Sequence, residues 1–124
     1  MKSETERWLK LAKEDGQMAK SALDDGVYRP SVFHSQQMME KTLKAIWIEQ
    51  REGGYPPKEH KLPVLAREIA QELDEEEWEF LADLSEQYNP TRYGDVMLEY
   101  SYEQAEGYYQ RASKICEQLL ARLT

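Results

Sequence analysis

Apolar side chains recur at three- and four-residue spacing along most of the chain, and the places where that spacing breaks divide it into helices. Over residues 3–25, Trp8, Leu11, Ala12, Met18, Ala19 and Ala22 describe an amphipathic helix ending at "DDG", with Asp15 inside the apolar stripe. A second helix is predicted from Pro30 to Arg51, because proline suits a first turn and "GGYPP" at 53–57 ends the pattern. Leu62, Leu65, Ala66, Ile69 and Leu73 predict a short third helix. Asp74, followed three positions on by Glu77, predicts the capped start of a fourth, whose inner side carries Trp78, Leu81, Leu84, Ser85 and Tyr88. "NPTRYGD" at 89–95 interrupts the period. Ser101 with Gln104 then caps a fifth helix lined by Ala105, Tyr108, Ala112, Ile115, Cys116, Leu119 and Leu123. No segment alternates as a strand would. The pattern therefore predicts one all-α domain over residues 1–124: an up-and-down helical bundle of about five helices, three long and two short.

The second helix departs from a simple amphipathic plan. Phe33, Leu43, Trp47 and Ile48 mark one face, yet Gln36, Gln37, Glu40 and Lys44 project into the same arc. Met38 and Ala45 lie nearly opposite Phe33, leaving only a narrow sector without apolar groups, so this helix is expected at the centre of the bundle or at a subunit interface. The structural reading of its polar residues is an i,i+4 ion pair between Glu40 and Lys44, with the glutamines satisfying the backbone or each other. The functional reading is a polar ridge formed by His34, Gln37, Lys41 and Lys44, at offsets 0, 3, 7 and 10, which offers donors to a nucleotide.

Charge narrows the partners. The 124 residues carry a net charge of -8, so a general electrostatic grip on nucleic acid or on an anionic membrane is not expected. Between Glu68 and Glu106 the sequence has thirteen acidic residues and one base, Arg92, which makes that arginine either a salt-bridge partner, with Asp95 among the candidates, or a phosphate contact. Cys116 is the single cysteine, cannot form an intrachain disulfide and falls on an apolar stripe. The N-terminus lacks a signal-peptide-like apolar run, and no window approaches ~18 consecutive apolar residues. A soluble, cytoplasmic protein without membrane association is expected. His34 and His60 lack a cysteine or carboxylate at ligand spacing, so neither a metal nor another cofactor is expected, and His60 reads as preceding or capping the third helix.

The string "FHSQQMMEKTLKA" at 33–45 closely resembles the corresponding helix of HEPN domains (higher eukaryotes and prokaryotes nucleotide-binding). "DDGVY" before that helix, "HKL" at 60–62, the inward Asp15 and "YNPTRYGD" at 88–95 agree with it in order, so the resemblance spans nearly the whole chain. It implies a helical bundle that commonly dimerises and, in many prokaryotic members, a minimal nucleotidyltransferase as partner in a toxin–antitoxin pair. A homodimer also fits the apolar and aromatic surplus on the second and last helices, to which Tyr100, Tyr102, Tyr108 and Tyr109 contribute.

Many HEPN proteins are metal-independent ribonucleases in which an arginine is followed, after four to six residues, by a histidine. Arg92 occupies the matching place here, but positions 97 to 99 are Met97, Leu98 and Glu99. Cleavage through the 2′-hydroxyl needs a proton acceptor and a cation for the phosphorane charge; Arg92 supplies only the second. "RYGD" instead resembles the "RYPD" of a HEPN branch that lacks the ribonuclease motif. The expected function is a non-catalytic module that binds a nucleotide, an RNA or a protein partner. Its nucleotide contacts would be His34, Gln37, Lys41, Lys44 and Arg92, with Asp15, Glu40, His60 and Asp95 in structural polar roles. Two readings compete with it: a divergent ribonuclease in which Arg92 works with a displaced histidine such as His34, and a purely structural helical subunit.

Overall fold

The structure is a computed structural model that describes residues 1–52, 55–88 and 99–123. Within them the helices are α1 (Ser3–Asp24), α2 (Tyr28–Gln50), α3 (Leu62–Ala66), α4 (Glu75–Glu86) and α5 (Tyr102–Ala121). No strand occurs among the described residues.

α1 and α2 form the main antiparallel pair. The three-residue link between them turns through Gly26 at φ 76°, a left-handed conformation that glycine adopts without a Cβ clash. Side chains then lock the pair at both ends. Ser31 Oγ donates to the carbonyl of Ala19 at 2.8 Å, while Thr5 Oγ1 and the Lys2 backbone N–H both donate to Glu49 Oε1, at 2.9 and 3.0 Å. The Lys2 ammonium adds bonds to the carbonyls of Ile48 and Arg51, satisfying two acceptors where α2 ends. These bonds tie the beginning of one helix to the end of the other, fixing both register and direction.

α2 is the central element. Thirteen of its 23 residues are buried, which requires neighbours on most of its circumference. Met38, Met39, Leu43 and Ile46 enter the principal core with Leu62, Leu65, Phe80, Leu81, Leu84, Ile115 and Leu119. Cys116 Sγ packs 3.8 Å from Met39 Sδ, and burial pushes its thiol pKa up to about 12, so it behaves as a core residue. A second cluster joins Leu23, Val32 and Ala105 near the opposite end of α2. Val32 thus neighbours the start of α5 and Met39 its later turns, so α2 and α5 run in the same direction. α4 runs against α5, as Tyr108 Oη donating to Asp83 at 3.0 Å and Arg122 pairing with Glu72 indicate. The result is the up-and-down bundle that the sequence predicts, with α3 as a short cover over the core.

Both expected capping boxes are present. The Asp74 side chain accepts from Glu77 N–H at 2.8 Å and Glu77 returns a bond to Asp74 N–H at 2.9 Å; Ser101 and Gln104 repeat the arrangement at 3.1 and 2.9 Å. Two boundaries differ from the sequence expectation. α2 begins at Tyr28, so Pro30 lies within the first turn, where its missing N–H leaves no intrahelical bond unmade. α3 stops at Ala66, and Ile69, Ala70 and Leu73 reach the core through successive three-residue turns, with Ile69 N–H bonded to Ala66 and Leu73 N–H to Ala70. Turns of that kind bury the same positions as a continued helix, so apolar spacing alone cannot separate the two.

Since the Ser101 side chain closes one of the orphan N–H groups of α5, Ser101→Ala is expected to destabilise the protein by about 1 kcal/mol in urea unfolding. An unchanged midpoint would mean that the cap carries no weight.

Candidate functional site

The polar residues of α2 separate into two groups, each built around one buried carboxylate. On the α1 side the carboxylate is Asp15, 5% exposed and carried on the inner stripe of α1. His34 Nδ1 lies 2.7 Å from its Oδ1, and Lys41 Nζ pairs with its Oδ2. His34 and Lys41 are seven residues apart on α2, two turns on one side of the helix, so a single acid on α1 reaches both. Burial pushes the Asp15 pKa up, but the hydrogen bonds and positive charge of His34 and Lys41 outweigh it and hold the carboxyl below its ordinary value of 3.8.

The second group centres on Glu40, 4% exposed. Lys44 Nζ donates to Glu40 Oε2 at 3.0 Å, the i,i+4 pair expected from the sequence. Gln36 Nε2 donates to Oε1 at 3.3 Å, and Gln37 Nε2 in turn donates to Gln36 Oε1 at 2.6 Å. The glutamines therefore satisfy each other and the acid. A third donor comes from outside the helix: His60 Nδ1 lies 3.1 Å from Glu40 Oε2. A carboxylate oxygen can only accept, so Nδ1 carries the proton and, in the neutral ring, Nε2 is left as an acceptor. Among the described residues no buried side-chain nitrogen or oxygen lacks a partner.

Aromatic rings connect the two groups. The Phe33 ring lies 5.1 Å from that of His34 and 6.5 Å from that of Tyr88, and Tyr88 stacks on His60 at 5.0 Å with an interplanar angle of 13°. On the far side Lys44 Nζ sits 5.6 Å from the Trp8 ring centre, so this ammonium is enclosed by an acid and an aromatic face.

The structure therefore places the candidates unequally. The His34 and Lys41 side chains retain 19% and 24% exposure beside Asp15, Gln37 is half-buried, and the Lys44 side chain retains only 8%. Lys44 is paired with Glu40 and nearly enclosed. His60 precedes α3, as expected, but its ring binds Glu40 instead of capping that helix. Arg92 and Asp95 lie outside the described residues. Sequence reasoning missed the linking role of Tyr88 and the reach of His60 to Glu40; the signal for both is tertiary. Among the described residues no group of three His, Cys, Asp or Glu side chains is arranged to hold a metal ion, and no helix is long and apolar enough to cross a membrane.

Two stability effects follow. Glu40→Ala would strand Lys44 and the Gln36 amide inside the protein and is expected to cost roughly 1 to 3 kcal/mol by urea unfolding. A change within about 0.5 kcal/mol would mean that solvent reaches the pair. Asp15 has a lowered folded pKa, so its contribution is complete above about pH 4 and disappears as pH falls through 3.8 toward the folded value. Thermal melts of Asp15→Asn are expected to lie below the wild type at pH 7 and to converge with it in that acidic window. A constant difference across the window would contradict the assignment.

The HEPN domain family matches residues 5–122. The fold is similar to the crystal structure of a protein from Thermus thermophilus, at a TM-score of 0.83 and 24% identity, covering 97% of this chain and 98% of that one. It is also similar to the crystal structure of an archaeal HEPN homologue, at a TM-score of 0.77 and 27% identity over 100% of both chains. No curated protein matches the chain. The helix order, the polar α2 at the centre of the bundle and a family match over nearly all residues lead to one assignment: the chain belongs to the HEPN domain family.

Proposed function

We propose that the protein is a non-catalytic HEPN module that binds a nucleotide and acts through a protein partner. The observation that carries this reading is the pairing on α2: the cations and amides of its polar ridge are held by two buried carboxylates as a satisfied network. Such a network holds its donors in fixed positions on one helix. The sequence adds that no histidine follows Arg92 at positions 97 to 99. Lys41 and His34 keep exposed edges beside Asp15 and, with Arg92, would meet phosphate; Lys44 would act through Glu40 by fixing the helix face. The proposal includes a homodimer, supported by Leu11 and Met18, which lie seven residues apart on α1 and are 37% and 51% exposed. A minimal nucleotidyltransferase is the proposed partner, on the strength of family membership.

One observation favours the ribonuclease alternative. The His60 side chain is 53% exposed and bonded through Nδ1 to an acid, the arrangement by which a carboxylate orients an imidazole base.

An RNA cleavage assay in chelator, run beside nucleotide titrations of the wild type, Arg92→Ala, Lys41→Ala, His34→Ala and His60→Ala, separates the readings. The expected result is no robust cleavage, with nucleotide affinity that falls with salt and drops about tenfold on loss of either cation. Cleavage abolished by Arg92→Ala and by either His34→Ala or His60→Ala would establish the divergent ribonuclease instead. Binding indifferent to every variant would leave a structural subunit. Light scattering across micromolar concentrations is expected to give twice 14.6 kDa, and a monomer mass throughout would contradict the dimer.

A further inference from the structure

A cleft of about 640 Å³ opens between the segment entering α3 and the C-terminal end of α4, lined by His60, Lys61, Pro63, Val64, Ser85 and Glu86, among others. Its size suits a small planar ligand, and its floor of Pro63, Val64 and Ala82 is apolar. His60 is the side chain on which it turns. One face of the imidazole is covered by Tyr88 and Nδ1 is held by Glu40, yet the side chain remains 53% exposed, so its accessible polar atom is Nε2. The neighbouring backbone is fixed as well: Glu59 Oε2 accepts from the N–H groups of His60 and Lys61 at 3.0 and 3.3 Å, and Ser85 Oγ accepts from Leu62 N–H at 3.0 Å. The histidine is thus oriented before any ligand arrives.

The polar atoms of the cleft determine what it can recognise. Nε2 of the neutral ring accepts, and so does the exposed carboxylate of Glu86. Among the described lining residues Glu59 and Glu86 outnumber Lys61, so these side chains favour a ligand's donors over a phosphate. A planar ring presenting several N–H donors fits both the acceptors and the apolar floor. Among nucleobases guanine meets that demand, because its Watson–Crick edge places an N1–H beside an exocyclic amino group.

We infer that this cleft is a guanine-binding site, in which the base lies against Pro63 and Val64, meets the His60 ring edge-on, and donates its N1–H to His60 Nε2 and its 2-amino group to Glu86. Glu40 and Tyr88 are positioning residues that act through His60. The inference rests on the nucleotide-binding reading above and adds the base and the residues that read it.

The test is an NMR titration of the ¹⁵N-labelled full chain with GMP and with IMP, which differ only in the 2-amino group, for the wild type, His60→Ala, Glu86→Gln and Arg92→Ala. Glu86 is exposed on α4, so Glu86→Gln keeps the fold even if His60→Ala does not. GMP is expected to shift the amides of Lys61, Val64 and Ser85 and to bind about tenfold more tightly than IMP. Glu86→Gln, which keeps an acceptor and removes its charge, should reduce that preference, and His60→Ala should weaken both nucleotides. Arg92→Ala should weaken both nucleotides and leave their ratio unchanged. Equal affinity for GMP and IMP, or a preference untouched by Glu86→Gln, would overturn the cleft assignment while leaving nucleotide binding intact. If neither nucleotide shifts any resonance, the assignment and the nucleotide reading both fall. If an arginine-rich peptide shifts the cleft amides in place of GMP, the acceptors serve a protein partner and the guanine site is refuted.

Discussion

Glu40 lies in the middle of the central helix with 4% exposure, and an ionised carboxylate in that position is tolerable only if donors replace the water it has lost. Three do so: Lys44 from the next turn, Gln36 from the previous one, and His60 from the segment leading into α3. The first two are supplied wherever α2 forms. The third is supplied only when the chain after α2 folds back along it, so one acid couples the identity of the central helix to the path of the loop and, through the His60–Tyr88 stack, to the end of α4. Asp15 plays the corresponding part between α1 and α2.

Networks of this kind are costly to break and are not by themselves a source of large stability. A well-packed apolar replacement of a buried ion pair is often neutral, whereas removal of one partner leaves a stranded charge. What the α2 network does supply is orientation. Each histidine is held through Nδ1, and each is connected by ring contacts to Phe33 or Tyr88. Donors and acceptors are therefore fixed on a rigid helix and on the short segment bonded to it, the arrangement that binding needs if it is not to spend its energy on ordering side chains.

Local features were legible in the sequence to the extent that their physics is local. The capping boxes at Asp74 and Ser101 involve residues three apart, and the Glu40–Lys44 pair involves residues four apart; helical geometry brings each together without help from the rest of the chain. The end of α3 was not legible, because Ile69, Ala70 and Leu73 face the core in a helix and in successive turns alike. The partners of the inward acids were hidden for a different reason. Asp15 is 19 and 26 residues from His34 and Lys41, and Glu40 is 20 residues from His60, so those contacts exist only once the register of the α1–α2 pair and the return of the loop are set. The sequence marked Asp15, His34, Gln37, Glu40, Lys41, Lys44 and His60 as polar residues in need of explanation. The structure divides them into two groups and pairs Lys44 with Glu40, with 8% of the Lys44 side chain exposed.

The claim on which the rest turns is that Glu40 holds His60 in one tautomer with Nε2 open to the cleft. Long-range ¹H–¹⁵N correlation of the imidazole nitrogens, at a pH where the ring is neutral, measures this directly. The expected result is a protonated Nδ1 and an unprotonated Nε2 in the wild type, with that preference lost in Glu40→Ala, which leaves no acceptor on this side chain. A wild-type His60 protonated on Nε2, with the same spectrum in Glu40→Ala, would contradict that claim.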